Sequence, residues 1–295
     1  MYRRTMGICR RWVVMATLSA LAGAARADGP HGAGQVTGDG PPGYVHITFD
    51  DDASGLAWEA AQLLANDRIP ATFFFDVDKL RLLSKDESDT LLEVTAREPE
   101  RIGLFVTQMP ARVRRSAMAT LDELSALSAQ AVTLYRADTA LSEEGRRALA
   151  TRRVTEVTSS IATADLETRD PTEWGTKVID RIARANGGVV RIHTAKTKPA
   201  LTSAHISALV AALVRENCKR RAAGMPMLVA APIDFFIRDG DAAREVPAPA
   251  KASVTAYLAT LEAKCVVILE DAPQTTKHLR TSKACVDNPL GKGCS

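Results

Sequence analysis

Aromatic residues are scarce in this 295-residue chain, at 5% Phe, Tyr and Trp, and they nowhere interleave with clusters of Lys and Arg. That absence excludes the basic, stacking surface expected of a nucleic-acid partner. A membrane-spanning run is missing too. The apolar stretch from Trp12 to Ala25 falls short of the roughly 20 residues a transmembrane helix needs. No Cys follows it, which argues against a lipid anchor, and no internal repeat is visible. The cysteine spacings match no structural zinc site.

What the N-terminus does contain is a basic segment (Arg3, Arg4, Arg10, Arg11), the apolar run, and the small-residue site Ala25-Arg26-Ala27. Residues 1–27 are expected to be a signal peptide, with the protein exported to the periplasm or secreted. This segment carries five Arg and no acid, so its removal takes the formal charge from +3 to −2. Cys218, Cys265, Cys285 and Cys294 remain, an even number that an oxidising compartment permits to pair. The short Pro- and Gly-containing stretch between Cys285 and Cys294 favours that pair as a local staple. Cys218 and Cys265 each adjoin an apolar segment and fit buried free thiols equally well.

Residues 28–43 are rich in Gly and Pro and read as a flexible leader. From Tyr44, short apolar runs alternate with helical patterns. Val45–Phe49, Thr72–Phe75, Ile102–Val106, Val132–Tyr135, Val189–Ile192, Met227–Ala231 and Cys265–Leu269 are the strand candidates. Ile206, Leu209, Val210, Leu213 and Val214 trace a helix face after a Ser203 cap, and Val254, Tyr257, Leu258 and Leu261 trace another. Trp174, Val178 and Ile182 share a face of a helix that Asn186-Gly187 terminates. Strands alternating with amphipathic helices imply parallel βαβ units in one α/β domain over residues 44–270. Residues 271–295 form a Cys-containing C-terminal extension.

The chemistry concentrates at Ile47-Thr48-Phe49-Asp50-Asp51-Asp52, where adjacent carboxylates end a predicted strand. Two close carboxylates repel unless a cation neutralises them. His46 lies on the same strand with period-two spacing from Asp50 and fits a buried, hydrogen-bonded core histidine better than a ligand. His205, at a helix start, reads as solvated. Arg191 and His193 are two apart on another predicted strand and point to one face.

The Asp50-Asp51 strand end, followed by a helix and Ala71-Thr72-Phe73-Phe74, resembles the first βαβ unit of the polysaccharide deacetylase (NodB homology) family. The resemblance runs from about Tyr44 to Leu269. It implies a distorted (β/α) barrel of about seven parallel strands, with the chemistry at the strands' C-terminal ends. It further implies a carbohydrate-active hydrolase of carbon–nitrogen, non-peptide amide bonds, with a glycan as partner and a divalent metal, zinc, as cofactor. In that pattern Asp50 is the general base, Asp51 a metal ligand, Arg136 the residue orienting Asp50, and His193 the general acid. Asp165 and Leu166 match the Asp-Trp motif of the substrate pocket, which Arg191 lines in place of the usual Leu. Phe105 and Met109 stand at the two histidine positions of the metal motif, and neither a phenyl ring nor a thioether suits such an ion. Arg191 is expected to pair with Asp50 or Asp51 in place of the metal. The alternative to the hydrolase is a metal-free pseudoenzyme that binds a glycan or a protein partner without turnover.

Overall fold

Alternating strands and helices build a parallel α/β fold in the computed structural model, which describes residues 35–50, 55–95, 101–106, 114–137, 143–166, 169–194 and 200–271. Strand β1 (Gln35–Val36) precedes β2 (Tyr44–Asp50), and helix α1 (Gly55–Asn66) leads to β3 (Ala71–Phe75). A single turn α2 (Val77–Leu80) and helix α3 (Lys85–Thr95) connect to β4 (Arg101–Val106). Then come α4 (Arg114–Leu127), β5 (Leu134–Ala137), α5 (Glu143–Thr151), β6 (Thr155–Val157) and β7 (Ile161–Ala162). After α6 (Pro171–Ala185) follow β8 (Gly188–His193), α7 (Ser203–Ala222) and β9 (Val229–Ala230). The hairpin β10 (Arg238–Asp239) and β11 (Ala242–Ala243) precedes the long helix α8 (Ala248–Asp271).

Parallel pairing runs β6-β5-β4-β3-β2-β8-β7. Because β6 and β7 are separated only by Thr158–Ser160, one segment of chain pairs with β5 at its start and with β8 at its end. The two margins of the sheet are thereby joined into a distorted barrel, with β9 added to the start of β2. The Gly/Pro-rich leader supplies the wedge at this seam. β1 pairs with β6, Thr158 N–H donates to the Val36 carbonyl at 2.9 Å, and Val189 N–H donates to the Gly38 carbonyl at 3.0 Å. The expectation of a flexible leader through Gly43 is therefore corrected from Gln35 onward. Composition concealed this strand, because its pairing is supplied by β6 and β8.

Residue alternation on β2 sorts the two faces. Val45, Ile47 and Phe49 join the main hydrophobic core with Ala57, Leu64, Val178 and Leu209 of the helices. His46, Thr48 and Asp50 point to the interior, whose lower part is filled by Val36, Phe74, Leu134, Val189, Ile233 and Phe236. His46 is buried as expected. Its Nδ1 lies 2.8 Å from the Ala231 carbonyl, which only accepts, so Nδ1 carries the proton and Nε2 accepts from Thr72 Oγ1 at 2.9 Å.

Three further expectations change. Cys265–Leu269 is not a strand. The buried positions Val254, Tyr257, Leu261 and Cys265 continue a helical spacing, and the segment is the last part of α8; a five-residue apolar run fits either state by periodicity. Helix α7 is capped by Thr202 rather than Ser203, and its N–H donates to His205 Nδ1 at 3.2 Å. His205 is correspondingly buried rather than solvated. By contrast α6 ends as expected, with Asn186 left-handed at φ 56°.

Cys218 on α7 and Cys265 on α8 form a disulfide, resolving the open choice between bridge and free thiols. The favoured Cys285–Cys294 pair and the segment 1–27 lie outside the described residues. With a sequence separation of 47 between its ends, the bridge should restrict the unfolded chain enough to contribute about 4 kcal/mol in the loop-closure account. A Cys218→Ser/Cys265→Ser double variant should lose most of that in urea denaturation, and the wild type in reductant should match it.

Candidate functional site

Asp50 ends β2 between Phe74 of β3 and His193 of β8, its register partners. It is 0% exposed, so its charge must be met by protein groups. Arg136, reaching across the interior from β5, donates from Nη1 to Asp50 Oδ1 at 2.6 Å and to Thr48 Oγ1 at 2.6 Å. Its Nε donates to the Val157 carbonyl at 3.0 Å. Thr48 in turn donates to the Val190 carbonyl at 2.8 Å. Burial lowers the Arg136 pKa from its ordinary value, while the Asp50 charge beside it acts to raise it. A guanidinium remains charged under such opposing influences.

The guanidinium of Arg136 also lies over the Phe74 ring, 4.4 Å from its centroid. Gly103 makes room for that ring, since a Cβ there would come within 2.4 Å of it. Among the described residues Arg136 Nη2 is buried without a hydrogen-bond partner.

From the neighbouring strand, Arg191 Nε donates to Asp50 Oδ2 in a short ion pair, with 18% of its side chain exposed. Both oxygens of one buried carboxylate are thus held by guanidinium nitrogens from two strands. His193 Nε2 lies 4.0 Å from Asp50 Oδ2, beyond a hydrogen bond but within strong electrostatic reach. Thr194 Oγ1 donates to the Asp50 carbonyl at 3.3 Å and ties the two strand ends together.

The structure thus gathers Asp50, Arg136, Arg191 and His193. Asp165 and Leu166 are directed elsewhere. Asp165 is paired with Arg181 of α6 through two bonds of 2.7 and 2.6 Å, and these hold its carboxyl below its ordinary pKa. Leu166 packs against the main hydrophobic core. Their turn adjoins the Arg191 backbone, where Thr163 N–H donates to the Arg191 carbonyl at 3.2 Å, but their described contacts run outward to helix and core. Asp51 and Met109 lie outside the described residues, as do residues 51–54, 107–113, 138–142 and 195–199 in the connections after β2, β4, β5 and β8. Thr48, Phe74 and Thr194 were not singled out in the sequence. Thr48 was nonetheless accessible from period-two spacing, two residues before Asp50.

The described donor set does not fit a divalent metal. Among the described residues no three His, Cys, Asp or Glu side chains converge. Phe105, whose backbone pairs in register with Arg136, and Met109 supply no suitable lone pair. Asp50 already carries a guanidinium on each oxygen. A cavity of about 740 Å³ between α7 and α8, lined by Ser207, Val210, Val214 and Lys264, includes none of these groups.

No family model and no curated protein matches the sequence. Solved structures do match. A peptidoglycan deacetylase from Bdellovibrio bacteriovorus aligns over 68% of this chain and 56% of its own, with TM-score 0.54 and 16% identity. This chain therefore spans little more than half the length of that structure. A CE4 family pseudoenzyme from Bacillus anthracis aligns over 64% of both chains at TM-score 0.48 and 15% identity. A family 4 carbohydrate esterase from Streptomyces lividans, in complex with acetate, aligns over 60% of this chain and 91% of its own at 0.47 and 18%. The fold is that of the polysaccharide deacetylases.

Proposed function

We propose that this protein is an exported, deacetylase-like glycan-binding protein that no longer turns its ligand over. One observation carries the reading: both oxygens of the fully buried Asp50 carboxylate are committed to guanidinium nitrogens. A general base must offer a lone pair to the proton it removes. Each oxygen keeps a second lone pair, but the carboxylate is 0% exposed, so a water or amide reaches it only by opening a site held by two charge-assisted bonds. The glycan is suggested by what the structural neighbours act on, peptidoglycan in the Bdellovibrio case. Export is supported by the basic and apolar pattern of residues 1–27 and by the Cys218–Cys265 bridge, since disulfides persist in oxidising compartments.

A second reading, hydrolysis of a carbon–nitrogen amide bond such as the N-acetyl group of a glycan, is favoured by the 4.0 Å approach of His193 to Asp50. There Asp50 would take a proton, His193 would return one to the leaving amine, and Arg136 would hold Asp50 in position.

Protein lacking residues 1–27, mixed with N-acetylated peptidoglycan fragments and chitin oligomers, separates the two by calorimetry run beside an acetate assay. Saturable binding that survives Asp50→Asn, without acetate, is the expected result. Acetate released by the wild type and lost in Asp50→Asn moves the assignment to the hydrolase. Absence of binding to every oligomer removes the glycan-binding reading.

A further inference from the structure

We infer that His205 is a proton-sensitive latch on the start of α7, engaged while its imidazole is neutral and released when the ring takes up a proton. Thr202-Ser203-Ala204-His205 has the spacing of a capping box, in which the side chain at the third helical position reaches back to the backbone N–H of the cap. Glu or Gln usually fills that position and stays an acceptor across the neutral range. Here it is a histidine. Thr202 N–H donates to His205 Nδ1 at 3.2 Å, and the Thr202 hydroxyl lies 3.0 Å from the same nitrogen. A backbone N–H can only donate, so Nδ1 holds no proton in this arrangement and Nε2 carries it.

A proton on Nδ1 turns that acceptor into a donor facing another donor, and the latch opens. Two features oppose the charge further. The residue is buried, so an imidazolium there is poorly solvated. The first turn of a helix also presents the positive end of its dipole. Around the ring, Trp174 of α6 packs edge-on with centroids 5.7 Å apart, a contact open to either protonation state. The acids at the start of α6 are exposed and carry bonds of their own: Asp170 accepts from the Glu173 N–H at 2.8 Å, and Glu173 pairs with Lys177 at 2.6 Å. On α7 itself the flanking residues Ser203, Ala204 and Ile206 are neutral. The latch has a consequence through its place in the chain. α7 takes up the connection from β8, whose end carries His193 and Thr194, and Thr194 Oγ1 donates to the Asp50 carbonyl. Acid therefore loosens the start of the helix that anchors this side of the site. This role is independent of whether the site binds a glycan.

The test compares the wild type with His205→Gln, which keeps an acceptor at the third position whatever the pH. Both are followed by thermal unfolding and amide exchange at about pH 7.5 and about pH 5, either side of the ordinary imidazole pKa. His46 and His193 are present in both proteins, so the difference belongs to His205. Acid should lower the melting temperature of the wild type by roughly 2–4 °C more than that of the variant, the worth of one helix cap. The wild-type Thr202 and His205 amides, corrected for the intrinsic effect of pH, should gain about fivefold in exchange over the Glu173 and Trp174 amides. Those two lie at the start of α6, whose cap, Asp170, involves no imidazole. Nitrogen-15 spectra of the histidines should show Nδ1 of His205 unprotonated at the higher pH. A protonated Nδ1 there, or a variant that keeps the full acid response of the wild type, overturns the latch. If His205→Gln does not fold, the two helix starts of the wild type decide, and an equal response to acid overturns the inference.

Discussion

Asp50→Ala should destabilise the protein by roughly 3–5 kcal/mol, the usual cost of removing one partner from a buried ion pair. The reason is what the substitution leaves behind. Arg136 is 2% exposed and has no other acid among its described contacts, only Thr48, the Val157 carbonyl and the Phe74 ring. Its charge would remain in the barrel interior with those partial compensations alone. Arg191, at 18% exposure, can turn toward water by its long stem and should contribute less to the loss. Asp50→Asn keeps a carbonyl oxygen for one guanidinium and should fall between wild type and alanine. Urea denaturation of the three proteins checks the series. A loss below about 1 kcal/mol in Asp50→Ala would mean that both guanidiniums reach solvent and that the cluster is a surface salt bridge in energetic terms.

The second large effect concerns cation binding. In a Phe105→His/Met109→His/Arg191→Leu triple variant, zinc should bind one-to-one with a Kd on the order of micromolar, equivalent to about 8 kcal/mol, where the wild type gives no specific heat. The two imidazoles add borderline nitrogen donors suited to zinc, and removal of Arg191 takes away a positive charge beside the strand-end acids. The intermediate variants separate these contributions. The two histidines with Arg191 retained should bind far more weakly than the triple, because the guanidinium charge still opposes the ion. Equal zinc affinity with and without Arg191 would show that the arginine does not compete for the site. Loss of binding on adding Asp51→Ala to the triple would show that this neighbouring acid is among the ligands.

Much of the central sheet was legible because its signals are local. The run around Asp50 alternates in polarity, the Ala71-Thr72-Phe73-Phe74 run follows a helical pattern of the right length, and Asn186-Gly187 supplies a left-handed stop after a helix face of Trp174, Val178 and Ile182. The same period-two logic put Arg191 and His193 on one face of a strand, and the resemblance turned that face toward Asp50, where the structure places both. The seam of the barrel was not legible. β6 and β7 are three and two residues long, too short for periodicity, and β1 lies in a Gly- and Pro-rich stretch whose composition argues against order. Their stability comes from neighbours far away in sequence.

The sequence by itself determined much of the order of strands and helices, the strand-end position of Asp50, and the presence of Phe105 and Met109 where the resemblance expects histidine, because these depend on residue identity and short-range spacing. Tertiary structure alone decided how the two arginines divide the oxygens of Asp50 and where Asp165 turns. Arg136 reaches Asp50 across the interior from three strands away, while Asp165, close in sequence to the pocket motif, finds Arg181 on a helix. An ionic partner is chosen by distance and burial in the folded state, and neither is a property of the residues' spacing along the chain.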